Sequence, residues 1–402
     1  NTPHSMVITG QHRADTQRLA HDLSKICQAA ISFWGDEQPP FNQYLFMLMV
    51  VGSGYGGLEH RRCTSLLCSR DDLPLVTEPQ KIGDKYKTFL GLCSHEYFHA
   101  WLVKRIQPDV LIEPNLHQEN HTELLWVFEG FTSYYDDLLL VRAGLISVTE
   151  YLGLLAQTIT RHTKTLGRFK QSVTESSFDA WTKYYKQDEN TPNSVVSYYV
   201  KGALIALCID LKMRQLSHNS VSLDTVMRQL WQEYGKTGQG IKNDTVQGLC
   251  QALLSEDLSE FWQLCLYSTQ ELPFAELLQA QGVEIEYKYD NLATKASASL
   301  GVRGQMNDGS FQLQNVWTGG AAEAAGLSAG DVLVAFDGLK VTAQLEKTVS
   351  SYAIGTKVEI HFFRRDELMK TQIVLLASQA EVCGLLVKEE NQALVKRWML
   401  NL

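Results

Sequence analysis

Two histidines four residues apart, His95 and His99, enclose a glutamate in the pattern His-Glu-x-x-His. Residues at this spacing lie on one face of an α-helix with Cβ atoms about 6 Å apart, so their imidazoles can share one zinc ion. Glu96 then projects beside the ion and can act on a water molecule bound to it. The pattern alone is also compatible with two surface histidines on an ordinary helix.

A third ligand is needed, because a catalytic zinc takes three protein ligands and leaves a position for water. Glu129 lies in the segment Leu-Trp-Val-Phe-Glu-Gly-Phe-Thr-Ser-Tyr-Tyr of residues 125–135. A carboxylate among so many apolar neighbours is costly to bury unless it is paired or binds a metal. Glu129 is therefore the candidate third ligand, and a solvated helix glutamate is the alternative.

A glycine-rich segment that ends in an acid follows the apolar residues 44–51. Gly56 and Gly57 allow a backbone to approach a ligand closely, and a strand edge can pair with an extended peptide. Glu59, at the end of that edge, can bind a cationic substrate terminus. Taken alone, the segment is also compatible with a strand-to-loop turn.

Two tyrosines, Tyr198 and Tyr199, open a further predicted helix. A tyrosine hydroxyl can donate a hydrogen bond to the oxyanion that develops when water attacks a carbonyl group. In isolation such a pair is equally a pair of packing residues.

Hydrophobic periodicity predicts the elements that must position these residues. The predicted elements are a helix over 14–34, a buried strand over 44–51, and helices over 84–106, 123–143, 199–216 and 223–234. The pattern changes near residue 283, where residues 283–289 alternate with period two as a half-buried strand does. The sequence therefore predicts a mainly helical body and a smaller β-rich unit, with the boundary near residue 285.

Composition narrows the class of protein. Acidic residues outnumber basic ones by 45 to 36 among 402 residues, so the net charge of −9 argues against a nucleic-acid or anionic-membrane binder. No apolar run approaches the roughly 18 residues that span a bilayer. Eight cysteines without a Cys-x-x-Cys pair favour reduced, buried thiols. No signal peptide follows Asn1, so we expect a cytoplasmic protein. The sequence reads as that of a mature product or of a piece cut from a longer protein.

Four motifs in order resemble one family. Residues 56–60, 95–99, 126–135 and 197–202 together resemble the glycyl aminopeptidase family of zinc metallopeptidases, which are gluzincins with a thermolysin-like catalytic domain. The resemblance implies an α+β protein whose mainly helical, thermolysin-like peptidase domain spans residues 1–284. We find no counterpart of the β-rich domain with which members normally begin, and His60 replaces the asparagine usual in the wider aminopeptidase group.

The resemblance also implies roles for individual residues. His95, His99 and Glu129 would hold one Zn²⁺ per chain, with Glu96 as the general base. Tyr199 would stabilise the transition state. Glu59, after Gly56 and Gly57, would hold the α-amine of the substrate. Asp136 would be an acid placed behind one of the zinc-binding histidines.

The C-terminal region resembles a PDZ domain. Ser299-Leu-Gly-Val302 is similar to a PDZ carboxylate-binding loop, and residues 321–333 are similar to the helix, turn and strand that follow it. The backbone N–H groups of Leu300, Gly301 and Val302 would hold the carboxylate of a peptide C-terminus while the peptide adds as a strand. We place this domain at 285–380 and expect the tail, 381–402, to dock on the protein. The alternative is a packing module whose groove stays empty.

The sequence thus predicts a zinc aminopeptidase that removes N-terminal residues from peptides, with the preference for glycine implied by the resemblance alone. Two alternatives remain: a non-catalytic PDZ scaffold that binds peptide termini, and a zinc endopeptidase. Peptides are the expected partners, with neither nucleic acid nor membrane. The sequence leaves open the physiological substrate, the ligand of the PDZ groove, the oligomeric state and whether a missing N-terminal region is needed for activity.

Overall fold

The computed structural model describes residues 2–77, 81–290 and 293–401. Two hydrophobic cores organise the chain. The larger includes residues between 19 and 283 together with residues from the end of the chain, and the smaller lies between residues 298 and 375. The protein is therefore a mainly helical body with a smaller β-rich unit, which confirms the predicted α+β class.

The large body is built from helices around one small sheet. Its helices are α1 (Thr16–Phe33), α2 (Asp84–Phe98), α3 (Leu125–Arg142), α4 (Val148–Thr163), α5 (Val173–Phe178), α6 (Thr191–Ser194), α7 (Tyr198–Leu216), α8 (Leu223–Leu230), α9 (Thr245–Leu254), α10 (Ser259–Trp262) and α11 (Phe274–Ala280). Its strands are β1 (His4–Thr9), β2 (Tyr44–Val51), β3 (Tyr55–Glu59) and β4 (Cys63–Ser69). The strand order is β1-β2-β4-β3.

The glycine-rich segment is a strand, as its interpretation as a substrate edge requires, and not a strand-to-loop turn. β3 pairs antiparallel with β4 in the register Gly57↔Leu66 and Glu59↔Thr64, and it lies at one of the two edges of the sheet. Gly57 and Glu59 share one face of β3, because side chains alternate along a strand. Glycine contributes no side-chain signal for a strand, so pairing with β4 decides the conformation.

The helix with the two histidines is shorter than predicted. α2 ends at Phe98, whereas the apolar pattern predicted a helix up to Ile106. Val103 has φ of 86°, a left-handed conformation that a helix cannot contain. The chain therefore turns immediately after His99.

Helices α3 and α7 cross at two glycines. A Cβ atom added to Gly130 would lie 2.5 Å from the backbone of Gly202, so only glycine permits this approach. The crossing brings the segment that carries Glu129 next to the start of α7. The segment Thr191–Leu216 is long and apolar enough to cross a bilayer, but 78% of its apolar window is buried inside the protein, as in the core helix of a globular body.

The smaller unit is a six-stranded sheet with two short helices. Its elements are β6 (Ala298–Ser299), β7 (Val302–Asn307), β8 (Ser310–Val316), α12 (Ala321–Ala324), β9 (Val332–Phe336), β10 (Leu339–Lys340), α13 (Leu345–Ser350), β11 (Lys357–Arg364), β12 (Glu367–Val374) and β13 (Leu376–Ala377). The sheet runs β12-β11-β9-β8-β7, with β10 on β9, and β13 pairs separately with β6.

The end of the chain returns to the large body. β14 (Val382–Val387) pairs antiparallel with β5 (Val283–Lys288), and α14 (Gln392–Leu400) follows. Cys383 and Trp398 belong to the larger core, and Trp398 is fully buried. The domain boundary predicted between residues 284 and 285 falls inside β5.

Two asparagines join the smaller unit to the large body. Asn193, in α6, donates from Nδ2 to the carbonyl of Val316 at 2.8 Å and accepts from the N–H of Thr318 at 3.1 Å. Asn315 donates in return to the carbonyl of Glu189 at 2.8 Å. The β-rich unit is therefore attached to the segment that leads directly into α7.

Candidate active site

Three potential metal ligands converge where α2 faces α3. Glu129 Oε2 lies 3.3 Å from His95 Nε2 and 3.2 Å from His99 Nε2. The two imidazole rings are 4.7 Å apart and nearly perpendicular. The ligand atoms of His95, His99 and Glu129 all lie within 4.8 Å of one another, so the structure brings the three predicted ligands together.

Each imidazole is oriented through its other ring nitrogen. His95 Nδ1 lies 3.0 Å from Asp136 Oδ2, and His99 Nδ1 lies 3.0 Å from the carbonyl oxygen of Leu102. A carbonyl and a carboxylate only accept hydrogen bonds, so each Nδ1 carries the proton and donates it. In the neutral imidazoles each Nε2 is then an acceptor aimed at Glu129, and a metal cation between these three acceptor atoms would satisfy all of them.

The charges within this cluster shift the pKa values of its members. Burial lowers the pKa of His95, but hydrogen bonds to Asp136 and Glu129 outweigh burial and raise its pKa well above the usual value. Burial also lowers the pKa of His99, and the charge of Glu129 reverses the direction. Burial would raise the pKa of Glu129, yet the two imidazoles lower it. The cluster therefore favours an ionised carboxylate with positive charge beside it.

Glu96 lies beside this cluster and is only 5% exposed. Burial raises its pKa, and the charges of Glu59 and Glu129 act in the same direction against the opposite effect of the histidines. Its Oε2 atom is buried without a hydrogen-bond partner among the described residues. A buried carboxylate with a raised pKa and an unused oxygen can accept and release a proton.

Only one of the two predicted substrate-strand glycines is sterically required. A Cβ atom on Gly57 would collide with the carboxylate of Glu96, whereas a Cβ on Gly56 would meet open space. β3 therefore runs directly against Glu96 at Gly57.

Tyr199 is the tyrosine of the predicted pair that faces the cluster. Its ring lies 6.4 Å from the ring of His95 at an interplanar angle of 27°. Tyr198, in contrast, is buried in the large hydrophobic core and only 1% exposed. Tyr199 hydroxyl lies 3.3 Å from the hydroxyl of Tyr185, a residue that the sequence interpretation missed. Burial and the charge of Glu129 raise the pKa of Tyr199, so its hydroxyl keeps the proton that an oxyanion donor needs.

Glu59 is already paired within its own chain. Lys104 Nζ lies 2.8 Å from Glu59 Oε1. Burial would raise the pKa of Glu59, but the charge of His99 and the hydrogen bond from Lys104 together lower it. The sequence interpretation did not single out Lys104, although the residue lies only five positions after His99.

The predicted carboxylate loop lies in the smaller unit. Gly301 adopts φ of 71°, and its N–H donates to Ser299 Oγ at 3.1 Å. Leu300 is buried, and Val302 begins β7, the edge strand of the larger sheet among the described residues. One of the three predicted amide donors is therefore occupied by a side chain of the loop itself.

Two regions of the chain, and its fold as a whole, are similar to known proteins. Residues 88–205 match the M61 glycyl aminopeptidase family, and residues 298–375 match the PDZ domain. An aminopeptidase N family protein from Idiomarina loihiensis is 42% identical, with a TM-score of 0.93 over 98% of this chain and 68% of that chain. A search among curated proteins returned no significant match.

Other solved structures are far less similar. An M1 zinc metallopeptidase from Deinococcus radiodurans is 12% identical, with a TM-score of 0.45 over 67% of this chain and 49% of that chain. A serine endoprotease from Yersinia pestis is 18% identical, with a TM-score of 0.19 over 20% of this chain and 29% of that chain. Of these three structures, the relative from Idiomarina loihiensis is the one similar enough to bear on the family. Together with the two profile matches, it shows that this chain belongs to the M61 glycyl aminopeptidase family of metallopeptidases and carries a PDZ domain after its peptidase domain.

Proposed function

We propose that this protein is a zinc aminopeptidase that removes N-terminal residues, glycine above all, from peptides. The observation that carries the proposal is the convergence of the Nε2 atoms of His95 and His99 on one carboxylate oxygen of Glu129. A metal cation can bind between these atoms, and two histidines with one carboxylate form a common ligand set of catalytic zinc.

The residues present fit a zinc ion. His95, His99 and Glu129 would hold it, and Asp136 and the Leu102 carbonyl would keep the imidazoles in the required tautomer. When bound, zinc supplies the Lewis acidity that activates water and polarises a carbonyl group.

Glu96 would act as the general base and transfer the proton. Its carboxylate lies beside the cluster, is not needed as a ligand, and has an unpaired oxygen among the described residues. It would take a proton from the attacking water and pass it to the leaving amine. The raised pKa of Glu96 supports a role that requires both uptake and release.

Tyr199 would donate its hydroxyl hydrogen bond to the developing oxyanion. The position of its ring beside His95 supports this role. Tyr185 would orient the Tyr199 hydroxyl from the other side, since the two hydroxyls are 3.3 Å apart.

Glu59 would bind the α-ammonium group of the substrate. It shares a face of β3 with Gly57, which touches Glu96, and two residues along a strand span about 7 Å. A peptide lying along the edge of β3 would thus place its N-terminus at Glu59 and its first peptide bond near Glu96. The preference for glycine follows the family rather than any contact in this chain.

The proposal is tested by loading the protein with Zn²⁺ and assaying a panel of aminoacyl chromogenic substrates. We expect one zinc per chain and the fastest turnover with the glycyl substrate. Glu96→Gln should retain the zinc and lose about 10²- to 10⁴-fold in kcat, as is typical for a general base. The exposed Glu276→Gln is the matched control and should behave like the wild type. Wild-type turnover in Glu96→Gln would remove Glu96 from the mechanism.

A further inference from the structure

The carboxylate expected to receive the substrate amine already holds a cation of this chain. Lys104 Nζ lies 2.8 Å from Glu59 Oε1, and the two side chains are 28% and 20% exposed. Glu59 stands two residues beyond Gly57, whose backbone lies against the carboxylate of Glu96. The ion pair therefore borders the same space as the general base.

The backbone that carries Lys104 is fixed in place. The N–H of Lys104 donates to the carbonyl of His99 at 3.1 Å. The preceding residue, Val103, has φ of 86°, and a β-branched residue adopts this conformation only where its surroundings impose it. The turn after α2 therefore directs the lysine toward Glu59.

We propose that Lys104 is a specificity-determining residue that competes with the α-ammonium group of the substrate for Glu59. This inference rests on the proposed aminopeptidase function. Two ammonium groups on one carboxylate repel each other, so a substrate amine either displaces Lys104 or binds against its charge. Lys104 thus weakens the binding of peptides with a free N-terminus and leaves N-acetylated peptides unaffected.

The direct test is Lys104→Met, which keeps most of the side-chain length and removes the charge. For a glycyl peptide with a free amine, KM should fall roughly tenfold, the value of one hydrogen bond to a charged group, with little change in kcat. The kinetics of the matched N-acetylated peptide should not change. Lys85→Met is the control, because Lys85 is an exposed lysine of α2 whose partner Asp71 is also exposed.

A second background shows whether Lys104 acts through Glu59. In Glu59→Ala, the additional Lys104→Met change should leave KM for the free-amine peptide unaltered, since the shared partner is gone. A tenfold fall in KM in that background would place the action of Lys104 elsewhere and overturn the inference.

The possible results distinguish a failure of the competition by Lys104 from a failure of the proposed aminopeptidase function. If the wild type and Lys104→Met both cleave free and acetylated peptides equally, the aminopeptidase function itself is wrong. If the wild type requires a free amine while Lys104→Met leaves KM unchanged or raises it, the function stands and the competition by Lys104 is wrong.

Discussion

The metal end of the cleft (His95, His99 and Glu129) and its amine end (Glu59 and Lys104) are held in different ways. At the metal end, each imidazole has its second nitrogen held by a partner, the side chain of Asp136, which is 17% exposed, or the carbonyl of the buried Leu102. At the amine end, one partly exposed ion pair holds the carboxylate. The metal end is therefore preorganised before any substrate arrives, whereas in the proposed function the amine end exchanges one cation for another.

The difference has an energetic consequence. Removing one member of a buried charge cluster leaves its partners unpaired at high cost. Partly exposed ion pairs contribute less and rearrange readily. Substitutions at the metal end should therefore abolish function, whereas substitutions at the amine end should retune it.

Glu129→Ala should have the largest effect. It leaves two imidazoles where a catalytic zinc needs three protein ligands, so stoichiometric zinc and peptidase activity should both be lost. Elemental analysis after zinc loading and dialysis measures the zinc content, and the hydrolysis of a glycyl chromogenic substrate measures the activity. Glu276→Ala is the matched control. A full zinc complement in Glu129→Ala would show that the third ligand is another group.

Tyr199→Phe should have the next largest effect. Loss of one oxyanion donor typically costs about 10²- to 10³-fold in the chemical step, so kcat should fall by that factor while KM changes little. Steady-state kinetics of the zinc-loaded variant measure both constants. If Tyr198→Phe shows this loss and Tyr199→Phe does not, the donor is the other member of the pair.

Asp136→Ala should have a smaller effect that bears directly on how the metal end is supported. Residues that orient metal-binding histidines typically contribute about 10- to 100-fold in metal affinity. Competition with a zinc chelator should show this weakening, while the exposed Asp71→Ala should bind zinc like the wild type. Unchanged affinity in Asp136→Ala would mean that the metal end does not depend on the Asp136 contact.

Local sequence patterns predicted the metal end because its geometry is mostly local. Two histidines four residues apart share a helix face wherever that helix lies, so His95 and His99 were identifiable without the fold. Glu129 depends on how α3 packs on α2, and its apolar neighbours together with the family resemblance indicated it. The close crossing at Gly130 and Gly202 that positions α3 against α7 has no signature in either segment alone.

The amine end was harder to predict because it depends on contacts between distant segments. The glycines before Glu59 were compatible with a strand edge or with a strand-to-loop turn, and pairing with β4 makes them a strand. The predicted helix up to Ile106 would have directed Lys104 elsewhere. The turn at Val103 brings Lys104 to Glu59, which lies 45 positions earlier in the chain. No periodic sequence pattern predicts this contact.

The proposed function is tested most directly by the ratio of kcat/KM for a glycyl peptide with a free N-terminus to that for its N-acetylated form, measured on the zinc-loaded wild type and on zinc-loaded Lys104→Met. A hydrogen bond between an ammonium group and Glu59 is worth about 1.5–3 kcal/mol. The free-amine peptide should therefore be cleaved more efficiently, by roughly 10- to 100-fold in Lys104→Met, where no lysine competes for the carboxylate, and by less in the wild type. Equal cleavage of the two peptides by both proteins would contradict the aminopeptidase function and leave a zinc endopeptidase in its place.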